Sequence, residues 1–127
     1  MGSGIAPFSI GPGVSLEKDV QRECMALLAK HPAVAFIHRI NTRVLDVADS
    51  HKASGTRPFT TAPKGHPDAA GMLKSGKALY IEFKGSSGSL TDEQMAFLSR
   101  VNKFGGLGFV ARSVEDLLRY LPLRNSQ

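Results

Sequence analysis

The sequence predicts one α/β domain with a mixed central sheet flanked by helices, in the order α-β-β-β-α-β-α. Two observations support the helices and the strands, and a third supports the mixed sheet. Apolar residues recur at helical spacing early in the chain, at Val20, Cys24, Leu27 and Leu28. Residues 78–84 alternate in the way a strand does. A helical segment separates this strand from the apolar run at 107–111, so the two strands should be parallel.

Length and composition favour a single domain. A chain of 127 residues can bury one hydrophobic core. Residues 1–14 are rich in Gly and Pro and are expected to be disordered or derived from a tag. We expect residues 15–122 to form the domain and residues 123–127 to form a tail. The single cysteine, Cys24, rules out an internal disulfide and is expected to be a buried small hydrophobe.

The first half of the chain predicts one helix and one strand. Ser15 is a favourable N-cap for a helix that runs to about Lys30, and Pro32 ends it. Val34–Ile40 is rich in β-branched and aromatic residues and predicts a strand. Residues 41–64 are polar and contain Gly and Pro. They are expected to form a long loop, and loops of that length are usually functional or mobile.

The second half predicts a hairpin, a helix, a strand and a last helix. The hairpin strands are 68–73 and 78–84, with a tight turn between them. Thr91 and Gln94 form a capping box for a helix from about Asp92 to Phe104. A glycine pair ends this helix, and the remaining elements are a strand at 107–111 and a helix at 113–121.

Two acids and a lysine come together in the predicted hairpin. On the strand that ends at Lys84, the side chains of Tyr80, Glu82 and Lys84 point to one face of the sheet, opposite to Leu79, Ile81 and Phe83. Asp68 follows a proline at the start of the preceding strand. Metal-assisted hydrolysis of a phosphodiester needs these groups, because carboxylates hold a hard cation and an ammonium group steadies the attacking water.

Simpler explanations exist for these residues. Asp68 could be an ordinary turn acid, and Glu82 with Lys84 could be a solvated ion pair on an exposed edge. The second explanation requires polar neighbours on the same face, whereas Ala78 and Tyr80 stand there. A charge on a covered central strand is costly unless it is paired or bound to metal. The pattern therefore favours a metal site.

The motifs Gly65-His66-Pro67-Asp68 and Glu82-Phe83-Lys84, followed by Gln94, resemble the core of the PD-(D/E)xK nucleases. Their order, the short hairpin and the small size resemble the VRR-NUC (virus-type replication-repair nuclease) branch, especially its stand-alone phage form. The similarity runs from about Leu16 to Leu121. It implies a restriction-endonuclease-like core and a DNA endonuclease that depends on Mg²⁺ or Mn²⁺.

The resemblance also implies roles for individual residues. Asp68, Glu82 and the main-chain carbonyl of Phe83 would bind the metal ion. Lys84 would orient and help activate the attacking water, and Gln94 would help to position it.

A further acid is expected from the first helix. The family carries a Glu there with a Gln four positions later, which Glu17 and Gln21 match. Helical geometry puts Glu17 near the middle of the apolar stripe and Glu23 on its flank, so Glu23 is the alternative. An acid in a first helical turn is also favoured by the helix dipole alone, without any role in a site.

The charge balance is compatible with a nucleic-acid partner. The chain has 16 basic and 11 acidic residues, a net charge of +5, although such an excess also occurs in proteins that never bind nucleic acid. Residues that could contact the DNA lie in the basic segment and next to the motifs: Arg39, Arg43, Lys52, Arg57, Lys64, His66 and Ser86. The loop at 85–89 lacks the ending of a phosphate-binding P-loop, so no nucleotide cofactor is expected.

The remaining expectations concern partners and location. No segment has the length of a membrane span or the pattern of a signal peptide, so the cytoplasm of a bacterial or phage-infected cell is expected. Small relatives resemble Holliday-junction resolvases, which implies branched DNA and a homodimer, with Phe104, Leu107 and Tyr120 as candidate interface residues. The alternatives are an inactive DNA-binding module with a nuclease fold and a nuclease directed at RNA.

Overall fold

The computed structural model of the protein describes residues 14–40, 44–60 and 62–124. Within these ranges the order is α-β-β-β-β-β-α-β-α. The elements are α1 (Glu17–Leu28), β1 (Val34–Arg39), β2 (Val44–Ala48), β3 (Thr56–Thr60), β4 (Ala69–Leu73), β5 (Ala78–Phe83), α2 (Asp92–Lys103), β6 (Leu107–Ala111) and α3 (Val114–Tyr120). The α/β class is confirmed, but the predicted order was wrong because it lacked two strands. Most of the predicted N-terminal segment, residues 1–13, lies outside the described ranges.

A four-stranded mixed sheet forms the centre of the fold. Its strand order is β1-β4-β5-β6, with antiparallel pairing at the first two junctions and parallel pairing between β5 and β6. The parallel pair was predicted, because α2 carries the chain from the end of β5 back to the start of β6. β5 therefore has hydrogen-bonded neighbours on both sides, as expected of a central strand.

The two faces of this sheet are covered differently. Leu79, Ile81 and Phe83 are fully buried on the face that packs against α1 and α3. Cys24 belongs to the same core, and its burial is the main reason that the pKa of its thiol is raised to about 11. On the other face, α2 packs against β5 and β6. Gly108 permits this close approach, since a side chain there would meet the Leu98 Cδ2 atom at 3.2 Å.

The predicted loop at 41–64 instead contains a β-hairpin. β2 and β3 pair in antiparallel register from Val44 opposite Thr60 to Ala48 opposite Thr56, and they form a sheet of their own. Pro58 is tolerated because each strand of a two-stranded ribbon is an edge strand. The prediction of a loop was wrong because it followed the overall polar composition of residues 41–64 and Pro58, and overlooked the apolar run of β2.

Two element ends also differ from the prediction. Leu16, not Ser15, is the N-cap of α1, and no side chain caps that end. Ser15 contacts the loop after β5 instead, where its main-chain N–H donates to Ser86 Oγ at 3.1 Å and its carbonyl accepts from the Ser86 N–H at 3.1 Å. At its other end the helix stops at Leu28 rather than near Lys30. None of the helices in the described part of the chain has the length and apolar character that a membrane crossing requires.

Candidate active site

The start of β4 and the end of β5 bring two acids side by side. Ala69 pairs with Ile81 in the antiparallel register, and continuing that register by one residue sets Asp68 opposite Glu82. The main-chain N–H of Phe83 donates to Asp68 Oδ2 at 2.9 Å. This hydrogen bond fixes the Asp68 carboxylate next to the strand that carries Glu82.

The two carboxylate oxygens of Glu82 have different surroundings. The residue is buried, with only 2% of its surface exposed. Oε2 accepts a hydrogen bond from Gln94 Nε2 at 2.9 Å and lies 3.5 Å from Lys84 Nζ. Oε1 is buried and has no hydrogen-bond partner among the described residues. Burial and the nearby charge of Asp68 raise the pKa of Glu82 to about 7, although Lys84 acts in the opposite direction.

Lys84 lies directly after β5 and reaches back towards Glu82. Its side chain is 13% exposed, and its main-chain N–H donates to the Ala111 carbonyl on β6 at 3.2 Å. The following loop folds over its aliphatic stem, since a Cβ atom added to Gly88 would lie 3.2 Å from Lys84 Cδ. The ammonium group is therefore held in place by the strand and by the loop.

Gln94 caps its own helix and also contacts Glu82. Its main-chain N–H donates to Thr91 Oγ1 at 3.1 Å, and its Oε1 accepts from the Thr91 N–H at 2.9 Å, which completes the predicted capping box. Its Nε2 is then directed at Glu82. The oxygen of the amide caps the helix while the nitrogen holds the buried acid.

Glu17 lies near this site but is not buried. It is exposed in the first turn of α1, because the helix begins there beyond the edge of the core. Its charge nevertheless contributes to raising the pKa of Glu82, whereas Glu23 contributes instead to the pKa of Cys24. Of the two acids, Glu17 is thus the one that acts electrostatically on Glu82.

Gly85 lets the end of β5 pack closely against the start of α1. A Cβ atom at this position would lie 2.6 Å from the Ser15 carbonyl oxygen and 3.0 Å from the Glu17 nitrogen. The Gly85 carbonyl accepts a hydrogen bond from the Arg112 guanidinium at 2.8 Å. Arg112 was not predicted as a site residue. Its position directly after β6 was the available signal, since the carboxyl ends of parallel strands meet at one edge of a sheet.

The predicted DNA-contacting residues lie on several elements of the fold, and their role stays a prediction. Arg57 pairs with Asp49 at 3.6 Å on the β2–β3 hairpin, and Lys64 pairs with Glu93 at 3.4 Å. Lys52 lies in the exposed hairpin turn and Arg39 at the end of β1, while Ser86 contacts the start of α1. Arg43 lies outside the described residues. The ring of His66 packs against Tyr80 and Phe97.

The donor atoms at this site fit a hard divalent cation. No group of three His, Cys, Asp or Glu side chains close enough to hold a metal ion occurs in the described ranges. Asp68 and Glu82, which lie on neighbouring strands, form a smaller set whose donor atoms are all oxygen. Glu82 Oε1 gives the clearest indication, because a buried carboxylate oxygen without a partner is costly unless a cation or a proton satisfies it.

Comparison with known proteins identifies the family. A family model described as the VRR-NUC domain matches residues 48–115, which is a little over half of the chain. The match contains Asp68, Glu82, Lys84 and Gln94 but begins after α1 and Glu17. No curated protein and no solved structure matches the chain. The chain belongs to the VRR-NUC domain family, whose members have a nuclease-type function in DNA processing.

Proposed function

We propose that this protein is a metal-dependent DNA endonuclease that hydrolyses phosphodiester bonds in branched DNA. The observation that carries the proposal is the buried Glu82 carboxylate. One of its oxygens is held by Gln94 and Lys84, and the other is buried without a partner on the strand next to Asp68. A sheet that serves only as a scaffold gains nothing from such a group, because an apolar side chain of similar size would be more stable there.

The metal ion would be held by Asp68, Glu82 and the main-chain carbonyl of Phe83. Glu17 would complete the site directly or through water, and its effect on the pKa of Glu82 supports this role. Bound Mg²⁺ or Mn²⁺ would stabilise the negative charge that develops on the phosphoryl oxygens.

Lys84 and Gln94 would act on the attacking water. Lys84 has the buried stem and the fixed ammonium group that such a role requires, and its Nζ would hold the water in line with the scissile bond. Gln94 would keep the Glu82 carboxylate oriented through the hydrogen bond to Oε2. Attack on phosphorus would leave a 5′-phosphate and a 3′-hydroxyl.

Branched DNA and a homodimer are the substrate and assembly that we propose. One small domain has little surface with which to span a four-way junction, and two copies related by a two-fold axis would cut paired strands. Of the residues considered for the interface, Tyr120 and Phe104 are exposed and Leu107 is half-buried. Light scattering of the purified protein, free and bound to a junction, would measure the number of copies.

Cleavage of a labelled four-way junction with Mg²⁺ or Mn²⁺ tests the function. Glu82→Gln and Lys84→Ala should each lower the rate by at least about 100-fold while DNA affinity is retained, because both groups act on the reacting atoms. The matched controls are Glu115→Gln at the start of α3 and Lys77→Ala in the β4–β5 turn. If either site variant cuts as fast as the parent, the assignment of these residues is wrong.

A non-catalytic DNA-binding module is the second candidate function. It would bind the junction without cutting it, and millimolar Mn²⁺ would leave its melting temperature unchanged, since a ligand stabilises only the state that it binds. The presence of two acids, the lysine and the glutamine in one cluster argues against this candidate. Matched RNA and DNA junctions in competition would decide which nucleic acid is cut.

A further inference from the structure

Three aromatic rings lie next to the residues of the acidic site. His66 precedes Asp68 by two residues, Tyr80 precedes Glu82 by two residues on the same strand face, and Phe97 follows Gln94 by almost one helical turn. The ring centroids lie 5.1 Å apart for His66 and Phe97, 5.2 Å for Tyr80 and Phe97, and 5.8 Å for His66 and Tyr80. Residues two apart on a strand are separated by about 7 Å, so this cluster borders the site directly.

A shallow cavity continues from these rings along α2. Its volume is about 240 Å³, and its lining consists of Tyr80, Phe97, Arg100, Val101 and Phe104. Phe104 is 76% exposed at the end of the helix. Neither Tyr80 nor Phe97 belongs to the main hydrophobic core, which lies on the opposite face of the sheet. Tyr80 and Phe97 are half-buried where α2 packs on β5, and the part of each ring that lines the cavity is open to a ligand.

The cavity combines apolar faces with positive charge. Arg100 is part of its lining, and Lys103 Nζ lies 5.6 Å from the centre of the Phe104 ring. Both basic residues are exposed, and neither forms an ion pair with another described residue. No acidic side chain is among the lining residues. An anionic ligand with a flat aromatic part matches this surface.

We infer that the aromatic surface formed by Tyr80, Phe97 and Phe104 binds an unpaired nucleobase of the DNA beside the scissile phosphate. This inference rests on the proposed function. The cavity is smaller than the roughly 300–1,000 Å³ of ordinary small-molecule sites, and one planar base is a ligand of suitable size. A base in an intact duplex is covered by its neighbours, whereas an unpaired base exposes its faces to aromatic side chains. Arg100 and Lys103 then hold the adjoining backbone.

A second copy of this chain is the other occupant that an exposed phenylalanine could attract. A two-fold contact of this surface with itself would bring Arg100 and Lys103 of one copy close to the same residues of the other. Like charges in such a contact are unfavourable, whereas the phosphates of DNA complement them. The charge of the surface thus favours DNA.

Two DNA probes without a divalent ion test the inference, since no strand is cut under these conditions. One probe is a short duplex with a single unpaired 2-aminopurine, and the other is the same duplex fully paired. The parent should bind the first probe more tightly. Phe104→Ala and Phe97→Leu should each weaken binding of the first probe by about 5- to 100-fold and change binding of the second probe little, which is the range expected for loss of one stacking contact.

Phe36→Ala is the matched control, because this ring is 48% exposed on β1, at the other edge of the sheet from β6, and contacts His38 rather than the cavity. Circular dichroism would verify that each variant is folded. Equal affinity of the parent for both probes, or an equal loss for both probes in the variants, would overturn the inference. Conversion of a dimer to a monomer by Phe104→Ala, with unchanged preference between probes, would assign the surface to a second copy instead. If the preference holds but no DNA is cut in Mg²⁺ or Mn²⁺, the proposed function fails and the nucleobase site remains.

Discussion

The two faces of β5 differ in what they contribute to the molecule. On one face Leu79, Ile81 and Phe83 are fully buried against α1 and α3. On the other, Tyr80 is half-buried and Glu82 is a buried charge that only a few polar groups satisfy. A period of two along one strand thus separates the residues that stabilise the fold from those that can perform chemistry. Substitutions on the core face should therefore lower stability, whereas substitutions of Glu82 should lower the rate of DNA cleavage.

The largest effect on stability is expected on the core face. Ile81→Ala removes a fully buried side chain, so the free energy of unfolding should fall by about 2–5 kcal/mol. The rate of DNA cleavage per folded molecule should remain close to that of the parent, because Ile81 points away from Glu82. Urea unfolding followed by circular dichroism gives the first quantity, and a cleavage assay at low temperature gives the second. A large loss of rate in fully folded Ile81→Ala would show that the faces are not independent.

Glu82→Gln should instead raise the free energy of unfolding in metal-free buffer above neutral pH. Because the folded-state pKa is raised from 4.5 to about 7, the folded protein binds more protons than the unfolded chain between these values, and stability decreases as pH rises through this window. Gln resembles the protonated acid and does not titrate. The variant should therefore be clearly more stable than the parent at pH 8, and the difference should largely disappear at pH 4.

Melting curves at several pH values with a chelator present measure this difference. Added Mn²⁺ should stabilise the parent and leave Glu82→Gln almost unaffected, because the metal ion replaces the missing partner of the carboxylate. A variant that is less stable than the parent at pH 8 would contradict the raised pKa of Glu82.

Gly85→Ala tests how α1 is held at the site. The new methyl group would lie 2.6 Å from the Ser15 carbonyl oxygen, so the start of α1 must move away from the end of β5. We expect a loss of about 1–3 kcal/mol in the free energy of unfolding, as for overpacked positions generally. The cleavage rate should fall by more than the increase in the unfolded fraction explains, because Glu17 moves with the helix. Leu73→Ala is the control, since it also lowers stability but removes a buried side chain at the other end of β4 from Asp68. An unchanged rate in Gly85→Ala would argue against a role for Glu17.

Much of this arrangement follows from local patterns in the sequence. The alternation at Leu79–Lys84 predicts the strand β5, and the capping box at Thr91 predicts the start of α2. The helical crossover predicts the parallel pairing of β5 and β6. The β2–β3 hairpin was missed although β2 is mostly apolar, because Pro58 interrupts its partner strand and the two strands pair with each other apart from the main sheet. The cluster of His66, Tyr80 and Phe97 depends on contacts between distant segments, which no local pattern reveals. For Arg112, the position directly after β6 was visible in the sequence, but its contact with Gly85 was not.

The smallest change in stability is expected from variants that separate the helix-capping role of Gln94 from its contact with Glu82. Thr91→Ala and Gln94→Ala each remove one half of the capping box, so each should destabilise the protein by about 1 kcal/mol. Only Gln94→Ala also removes the donor to Glu82 Oε2, so only this variant should slow cleavage substantially. Comparing the two variants in unfolding and cleavage assays cancels the contribution of the helix cap. If both variants cut at the same rate, Gln94 supports the helix alone, and the orientation of the Glu82 carboxylate depends on Lys84.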